Sequence, residues 1–427
     1  MNDIFVVKGL SGARALSGTV RVSGSKNAVL PALASAIIFR DSVRLANVPM
    51  IEDVRRMMEL LSALGASVST PRRGTLVIDP ARIRTTVLSK DISARFRASI
   101  ILSGPALARF KKVSFPHPGG CVIGERPIDI FLEGFAQMGA RVVSRRGGYH
   151  LSAPRGLSGA RIFCKIQSVT VTETFMMAAV LARGVTVIDN AALEPEILHL
   201  ARFLNRCGAH IEGAGTPRVV IRGSGLLRAR GKAFVTPPDR IEAGSYLILG
   251  ALAAKRLTVT NCDPGELDAL LAELSRAGIR WHVAKHTVTV FGTPRLRPLS
   301  VKTHEYPGFP TDLQAPLAVL LTQADGESRI FETIFEGRLN YMQDLVKMGA
   351  HITVWNAREA TLKGPRILRG RELYGPDIRA GLAFVIAAII ARGTSRIHNV
   401  YFIDRGYERI EEKLKKIGVA VERVPLS

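Results

Sequence analysis

The sequence predicts an α/β protein of two domains, each made of three copies of a helix–strand–helix–strand–strand unit whose most apolar helices are enclosed by sheets. Three observations lead there. A helix ending in an apolar residue and a glycine, followed by a β-rich run, recurs six times: LLSALGASVST, FAQMGARVVS, FLNRCGAHIEG, LSRAGIRWHV, LVKMGAHITV and LKKIGVAVERV. Upstream of each copy lies a helix-length stretch that is apolar nearly all round, a pattern of helices buried inside a domain. At 427 residues the chain is too long for one ordinary core, and a Pro237-Pro238 pair falls midway through the repeats.

The glycines of the recurring helix are Gly65, Gly139, Gly208, Gly278, Gly349 and Gly418, spaced by 69 to 74 residues. A period that regular marks a structural repeat. Each glycine is expected in the left-handed conformation that ends a helix before a strand. The apolar helices are predicted, in order, over 28–39, 98–110, 174–182, 244–255, 313–322 and 380–391. A short β-rich run follows each one (VRLANV, KVSFPH, VTVIDNA, LTVTNC, RIFETIF, SRIHNV). The first domain is predicted over residues 22–236 and the second over 237–427 together with 1–21. The N-terminal runs IFVVKG and SGTVRVSG complete nothing locally, so they are expected to close the last sheet of the second domain as a two-strand crossover.

Composition narrows the function. With 47% hydrophobic residues the chain is globular, and its longest apolar runs are too short to span a bilayer. The N-terminus lacks the basic-then-apolar layout of a signal peptide. The four cysteines, Cys121, Cys164, Cys207 and Cys262, show neither disulfide nor metal spacing, which fits a reducing cytoplasm. His282 and His286 read as strand-hairpin residues rather than metal ligands. The net charge is +23, yet Lys and Arg are scattered and aromatics make up only 6%, so nucleic acid is disfavoured. The tight cluster Lys413–Lys416 reads as the solvated face of an amphipathic helix. Arginines in Gly- or Pro-bearing segments (Arg126, Arg338, Arg405) point instead to a small anionic molecule.

Polar residues collect at the starts of the buried helices. Ser25-Lys26-Asn27 opens the first, Arg95 and Arg97 the second, Thr172-Glu173 the third. Asp239-Arg240 with Glu242 opens the fourth, Thr311-Asp312 the fifth, and Asp377 with Arg379 the sixth. Ser25, Thr311 and Asp377 are good capping types. Lys26, Arg97 and Arg379 are not, because a cation there opposes the helix dipole; their placement points to an anion site between the domains. The run Pro116–Pro127 (PHPGGCVIGERP) adds a candidate chemical group. Prolines bar a regular helix there, and three glycines permit unusual backbone conformations. Cys121 with Arg126 five residues on is either an activated thiol or a small hydrophobe in a turn.

Eight motifs in order carry a resemblance: SGSKNAVLPALASAI, RASIILSGPALARF, PGGCVIGERPID, NAALEPEI, PPDRIEAGSYL, YPGFPTDLQAPL, FEGR and IDRGYERIEEKL. Over essentially its whole length the chain resembles the UDP-N-acetylglucosamine 1-carboxyvinyltransferase family of enolpyruvyl transferases. The resemblance implies two inside-out α/β barrels, each with threefold repetition. It implies transfer of the enolpyruvyl group of phosphoenolpyruvate to the 3'-hydroxyl of UDP-N-acetylglucosamine with release of phosphate, the first committed step of peptidoglycan synthesis, with no cofactor and no metal. Carried over by residue, Lys26, Arg126 and Arg405 hold phosphoenolpyruvate, and Asn27 and Arg97 contact the sugar nucleotide. Arg126, Pro127, Ile128, Asp129 and Ile130 line the uridine end, with Ser168 and Val169 near the diphosphate. Cys121 is the general acid, able to form an adduct with phosphoenolpyruvate and the target of fosfomycin. Asp312 is the carboxylate facing the acceptor hydroxyl, with Ile334, Arg338, Asp377 and Arg379 completing that wall. Because Asn keeps much of the size and capping ability of Asp, Asp312→Asn is expected to stop turnover with little change in stability.

Met50, Phe131, Ile166 and Gln167 depart from the family pattern, standing where cations and an imidazole are common. They keep open a paralogue acting on another nucleotide or nucleotide sugar; a non-catalytic basic binding protein of the same fold is a second alternative, because fold does not guarantee activity.

Overall fold

The computed structural model describes residues 3–117 and 128–426. The candidate residues Cys121, Arg126 and Pro127 lie outside the described residues. The chain divides into two compact bodies, an N-terminal one within residues 24–237 and a C-terminal one formed by 238–426 with 3–23. Each has its own hydrophobic core.

The buried helices form where the apolar stretches predict them. In the N-terminal body they are Lys26–Ser35, the 3₁₀ turn Arg97–Leu102 running into Ser103–Phe110, and Val169–Val180. In the C-terminal body they are Arg240–Ala253, Thr311–Leu321 and Ile378–Ile390. Within each body the three pack against one another. They do so closely: a Cβ on Gly244 would lie 2.6 Å from Leu313 Cδ1, and one on Gly104 would lie 2.4 Å from the Thr174 carbonyl oxygen. Side-chain caps start four of the six. Ser25 accepts from the Ala28 N–H, Ser168 from Val171, Asp239 from Ile241 and Glu242, and Asp377 from Arg379 and Ala380. Thr311 does not cap. Pro310 takes that position, and the Thr311 hydroxyl donates to Glu332 Oε2 at 2.9 Å, drawn off by a buried carboxylate.

The recurring amphipathic helices are Glu52–Leu64, Asp129–Gln137, Pro195–Arg206, Asp268–Arg276, Met342–Lys347 and Ile410–Lys416. All six glycines that follow them hold φ between 86° and 106°, so any other residue there would be strained.

Sheets enclose the helices. Among the described residues there are five four-stranded sheets and one of three strands. Each four-stranded sheet has three antiparallel strands plus a parallel strand at one edge. The edge strand is an addition to the expected unit. Three of these edges, Arg161–Phe163, Ser300–Lys302 and Glu372–Tyr374, precede the buried helix of their own repeat and are three residues long. Runs that short carry no readable alternation.

The N-terminal strands divide their work differently from the expectation. Asp3–Lys8 enters the last sheet between Thr394–His398 and Ala420–Pro425, as expected. Leu16–Arg21 instead pairs in parallel with Ala254–Thr260, in the sheet of the fourth repeat. It stands where the strand ahead of the Arg240–Ala253 helix would stand, and that strand, Ala233–Val235, pairs with Val43–Ala46 in the N-terminal body.

Where the first crossing begins, Ser23 is anchored. Its N–H donates to Glu242 Oε2 at 2.8 Å, and its hydroxyl accepts from Lys413 Nζ at 2.7 Å. Lys413 also pairs with Glu242, whose side chain is 2% exposed against 16% for the lysine. Lys413 therefore belongs to a buried ion pair and not to a solvated face, because Glu242 needs a counter-charge once sheet and helix exclude water from it. Lys413→Met is expected to destabilise the C-terminal body by about 3–5 kcal/mol in urea unfolding, and adding Glu242→Gln should recover most of that loss.

Candidate active site

The N-terminal body carries one set of candidate residues. Lys26 is the first residue of its helix, and its Nζ lies 3.1 Å from Asp53 Oδ2, on a carboxylate buried to 2%. Asp53 stands at the start of the next helix and offsets a cation that opposes the dipole of its own helix. Asn27, Arg97, Ser168 and Val169 are half-buried at the first residues or caps of the three buried helices. Ile128 is the buried N-cap of Asp129–Gln137, Asp129 is exposed, and Ile130 packs on the core. Phe131 is 4% exposed and stacks towards Phe175 with ring centroids 6.3 Å apart. It is a core residue. Ile166, by contrast, is 65% exposed, two residues ahead of Ser168.

Beneath these groups lies a carboxyl that the sequence reading left as part of a helix start. Glu173 is buried, and burial, with Glu196 and Glu194 nearby, raises its pKa well above the ordinary carboxylate value. Among the described residues its Oε1 has no hydrogen-bond partner.

In the C-terminal body the candidates touch. Asp312, in the first turn of Thr311–Leu321, receives Arg338 Nη2 on Oδ1 at 2.5 Å and Arg379 Nη2 on Oδ2 at 2.8 Å. Both arginines are 3% exposed, whereas the Asp312 side chain is 27% exposed. Arg338 comes from the 3₁₀ turn Glu336–Leu339, lies 3.9 Å from Asp377 Oδ1 and sits over the Phe335 ring. Burial works against the charge on each arginine, but the surrounding carboxylates outweigh it and raise both pKa values. Ile334 is half-buried, with its N–H on Glu332 Oε1 at 2.9 Å. Arg405 is 7% exposed at the end of Val400–Asp404, over the Phe402 ring. Next to the start of the Asp312 helix, a pocket is lined by Leu313, Pro310, Pro307, Glu266 and Arg240, the last stacked on Tyr306.

This geometry revises one expectation. Asp312 carries the counter-charge of two buried guanidinium groups, so Asp312→Asn removes it and destabilises the fold as well as the site. The sequence reading also missed Asp53, Glu332 and Tyr407. Asp53 and Glu332 carried no local signal, lying 27 and 21 residues from Lys26 and Thr311, the groups they bind, and Tyr407 lies inside the motif IDRGYERIEEKL but 28 residues from its partner Arg379.

Comparison with known proteins places this arrangement. The family model for EPSP synthase (3-phosphoshikimate 1-carboxyvinyltransferase) matches residues 10–414. The UDP-N-acetylglucosamine 1-carboxyvinyltransferase of Acidobacterium capsulatum is 43% identical over 432 residues, covering 99% of this chain and 96% of that protein. Its counterpart from Solibacter usitatus is 42% identical over 423 residues, covering 99% and 100%.

The chain belongs to the UDP-N-acetylglucosamine 1-carboxyvinyltransferase family.

Solved enolpyruvyl transferases share its fold. NikO from Streptomyces tendae superposes with a TM-score of 0.88 at 24% identity over 100% of both chains. EPSP synthase from Acinetobacter baumannii gives 0.74 at 18%, again over 100% of both. The C-terminal body of this family member presents a partly exposed carboxylate held by two buried arginines, a group able to accept a proton. Among the described residues no helix is long and apolar enough to cross a membrane.

Glu173→Gln tests the buried carboxyl. With a raised folded pKa, the native state holds a proton that the unfolded chain releases above about pH 4.5. Wild-type stability should therefore fall with rising pH by up to about 1.4 kcal/mol per unit within that window. The glutamine variant lacks this loss, so its thermal midpoint should gain on wild type from pH 5 to pH 8. A constant difference across that range would place the titration elsewhere.

Proposed function

We propose that the chain transfers the enolpyruvyl group of phosphoenolpyruvate to the 3'-hydroxyl of UDP-N-acetylglucosamine, releasing inorganic phosphate as the first committed step of peptidoglycan synthesis in the cytoplasm. The observation that carries this reading is the Asp312 carboxylate, held by two buried arginines yet 27% exposed, in a chain whose relatives bear that activity in their names.

The chemistry follows from the reactant. Phosphoenolpyruvate is inert to an alcohol until its methylene carbon gains a proton and positive charge develops at C2. The hydroxyl then adds to C2, its proton passing to a base, and a tetrahedral phosphate ketal results. Loss of a methyl proton and departure of phosphate restore the double bond on the acceptor oxygen. In this reading Cys121 is the acid and Asp312 the base. Lys26, Arg126 and Arg405 hold phosphate and carboxylate, favouring phosphate departure. Asn27, Arg97, Ser168, Val169 and the segment 126–130 contact the nucleotide sugar. Arg338 and Arg379 act by holding Asp312, because their donors already point at it.

A second reading rests on Ile166, an exposed apolar side chain where a cation is common in the family. It favours an acceptor nucleotide other than UDP-N-acetylglucosamine. Phosphate release measured with phosphoenolpyruvate and a panel of uridine nucleotides and nucleotide sugars separates the two. The first requires kcat/KM highest for UDP-N-acetylglucosamine; a higher value for another uridine nucleotide favours the second.

The role of Cys121 has its own test. Cys164, Cys207 and Cys262 are buried, and burial raises all three thiol pKa values, Cys164 and Cys262 to about 11. An electrophile such as fosfomycin should therefore label Cys121 alone by peptide mapping, and Cys121→Asp should keep turnover while escaping inactivation. Labelling spread over all four cysteines would remove Cys121 from the chemistry.

A further inference from the structure

We infer that Tyr407 is a positioning residue that sets the orientation of Arg379 and, through it, the Asp312 carboxylate; this rests on the reaction proposed above. Tyr407 is 1% exposed. Its hydroxyl accepts from Arg379 Nη1 at 2.9 Å, and its ring lies 5.4 Å from the guanidinium carbon. The other terminal nitrogen, Nη2, donates to Asp312 Oδ2 at 2.8 Å. A guanidinium is a rigid plane, so fixing one arm fixes the other. Holding Nη1 on the phenol therefore restricts the direction from which Nη2 meets the carboxylate.

The segment around Tyr407 is built for this contact. A Cβ on Gly406 would lie 2.5 Å from Ile378 Cγ2 and 3.7 Å from Arg379 Nη1, so only glycine lets the Arg405–Tyr407 run lie against the start of the Ile378–Ile390 helix. The Tyr407 N–H donates to the Ile403 carbonyl at 2.9 Å, fixing the turn that also carries Arg405. Burial pushes the phenol pKa up to about 12 against the pull of Arg379, which favours the neutral hydroxyl. Asp239, which caps the Arg240–Ala253 helix, is the further carboxylate acting on both Arg379 and Tyr407. Asp312, Arg379 and Tyr407 thus form one chain of contacts from the candidate base to the turn bearing Arg405.

Tyr407→Phe keeps the ring and removes the acceptor. Phosphate release by the full chain, with each substrate varied in turn, should show kcat lowered about ten- to hundredfold, the range expected for a hydrogen bond to a charged group. KM should stay within about threefold of wild type, and the thermal midpoint within a few degrees. In an Arg379→Lys background, which has no second arm to hold, adding Tyr407→Phe should lower kcat by less than about threefold. Unchanged kcat in the single variant, or full additivity with Arg379→Lys, overturns the inference. If wild type releases no phosphate with any acceptor, the proposed reaction fails, and the link is then read from a crystal structure of Tyr407→Phe. Arg379 turned off Asp312 upholds it, and an unchanged Arg379–Asp312 pair overturns it.

Discussion

A helix that is apolar on every side has no face to turn towards water, and the six such helices of this chain set most of its architecture. Three packed together still expose their outer surfaces, and sheets must cover them. Once covered, only their ends remain for polar groups. Two helices of the C-terminal body start near one another, since Asp312 and Arg379, each within the first two residues of its helix, are in contact. The candidates Lys26, Asn27, Arg97, Asp312 and Arg379 stand at helix starts, ground that the covered helices leave open to polar groups.

That ground is electrostatically demanding. A helix start favours anions, and cations placed there need compensation. Lys26 finds it in Asp53 and Arg379 in Asp312, which also takes Arg338 from a neighbouring turn. Two of the three cations that look misplaced in the sequence, Lys26 and Arg379, are thus balanced by carboxylates of the chain itself. In the C-terminal body the donors of Arg338 and Arg379 are directed at Asp312, which itself stays 27% exposed; in the N-terminal body the candidates Lys26, Asn27 and Arg97 are half-buried. Glu173 is the reverse case, a buried acid beside two other carboxyls whose negative charge is disfavoured.

The basic character of the chain is distributed and not concentrated. Arg161 and Arg218 converge on Asp189, Arg423 on Asp404, Glu411 and Asp3, and Lys413 on Glu242. Several of these pairs tie strands to neighbouring elements. Arg423, laid over the Phe5 ring, joins the terminal strand to the helix end that precedes Arg405.

Patterns that repeat along the chain were legible without a structure. The period of about 70 residues, the left-handed glycines and the positions of the buried helices follow from local composition, because a helix end needs glycine and a buried helix needs apolar residues wherever it sits. Asp312 was singled out only by the family resemblance, whereas Lys26, Arg97 and Arg379 were legible as unusual because a cation at a helix start opposes the dipole. Their partners were not. Asp53, Glu332 and Tyr407 look ordinary in sequence and become specific only when packing brings them to hydrogen-bond distance. The edge strands of three residues, and the pairing of Leu16–Arg21 with Ala254–Thr260, were likewise settled by tertiary structure. A short strand has no preference of its own, and it goes where an open sheet edge offers its N–H and C=O groups partners.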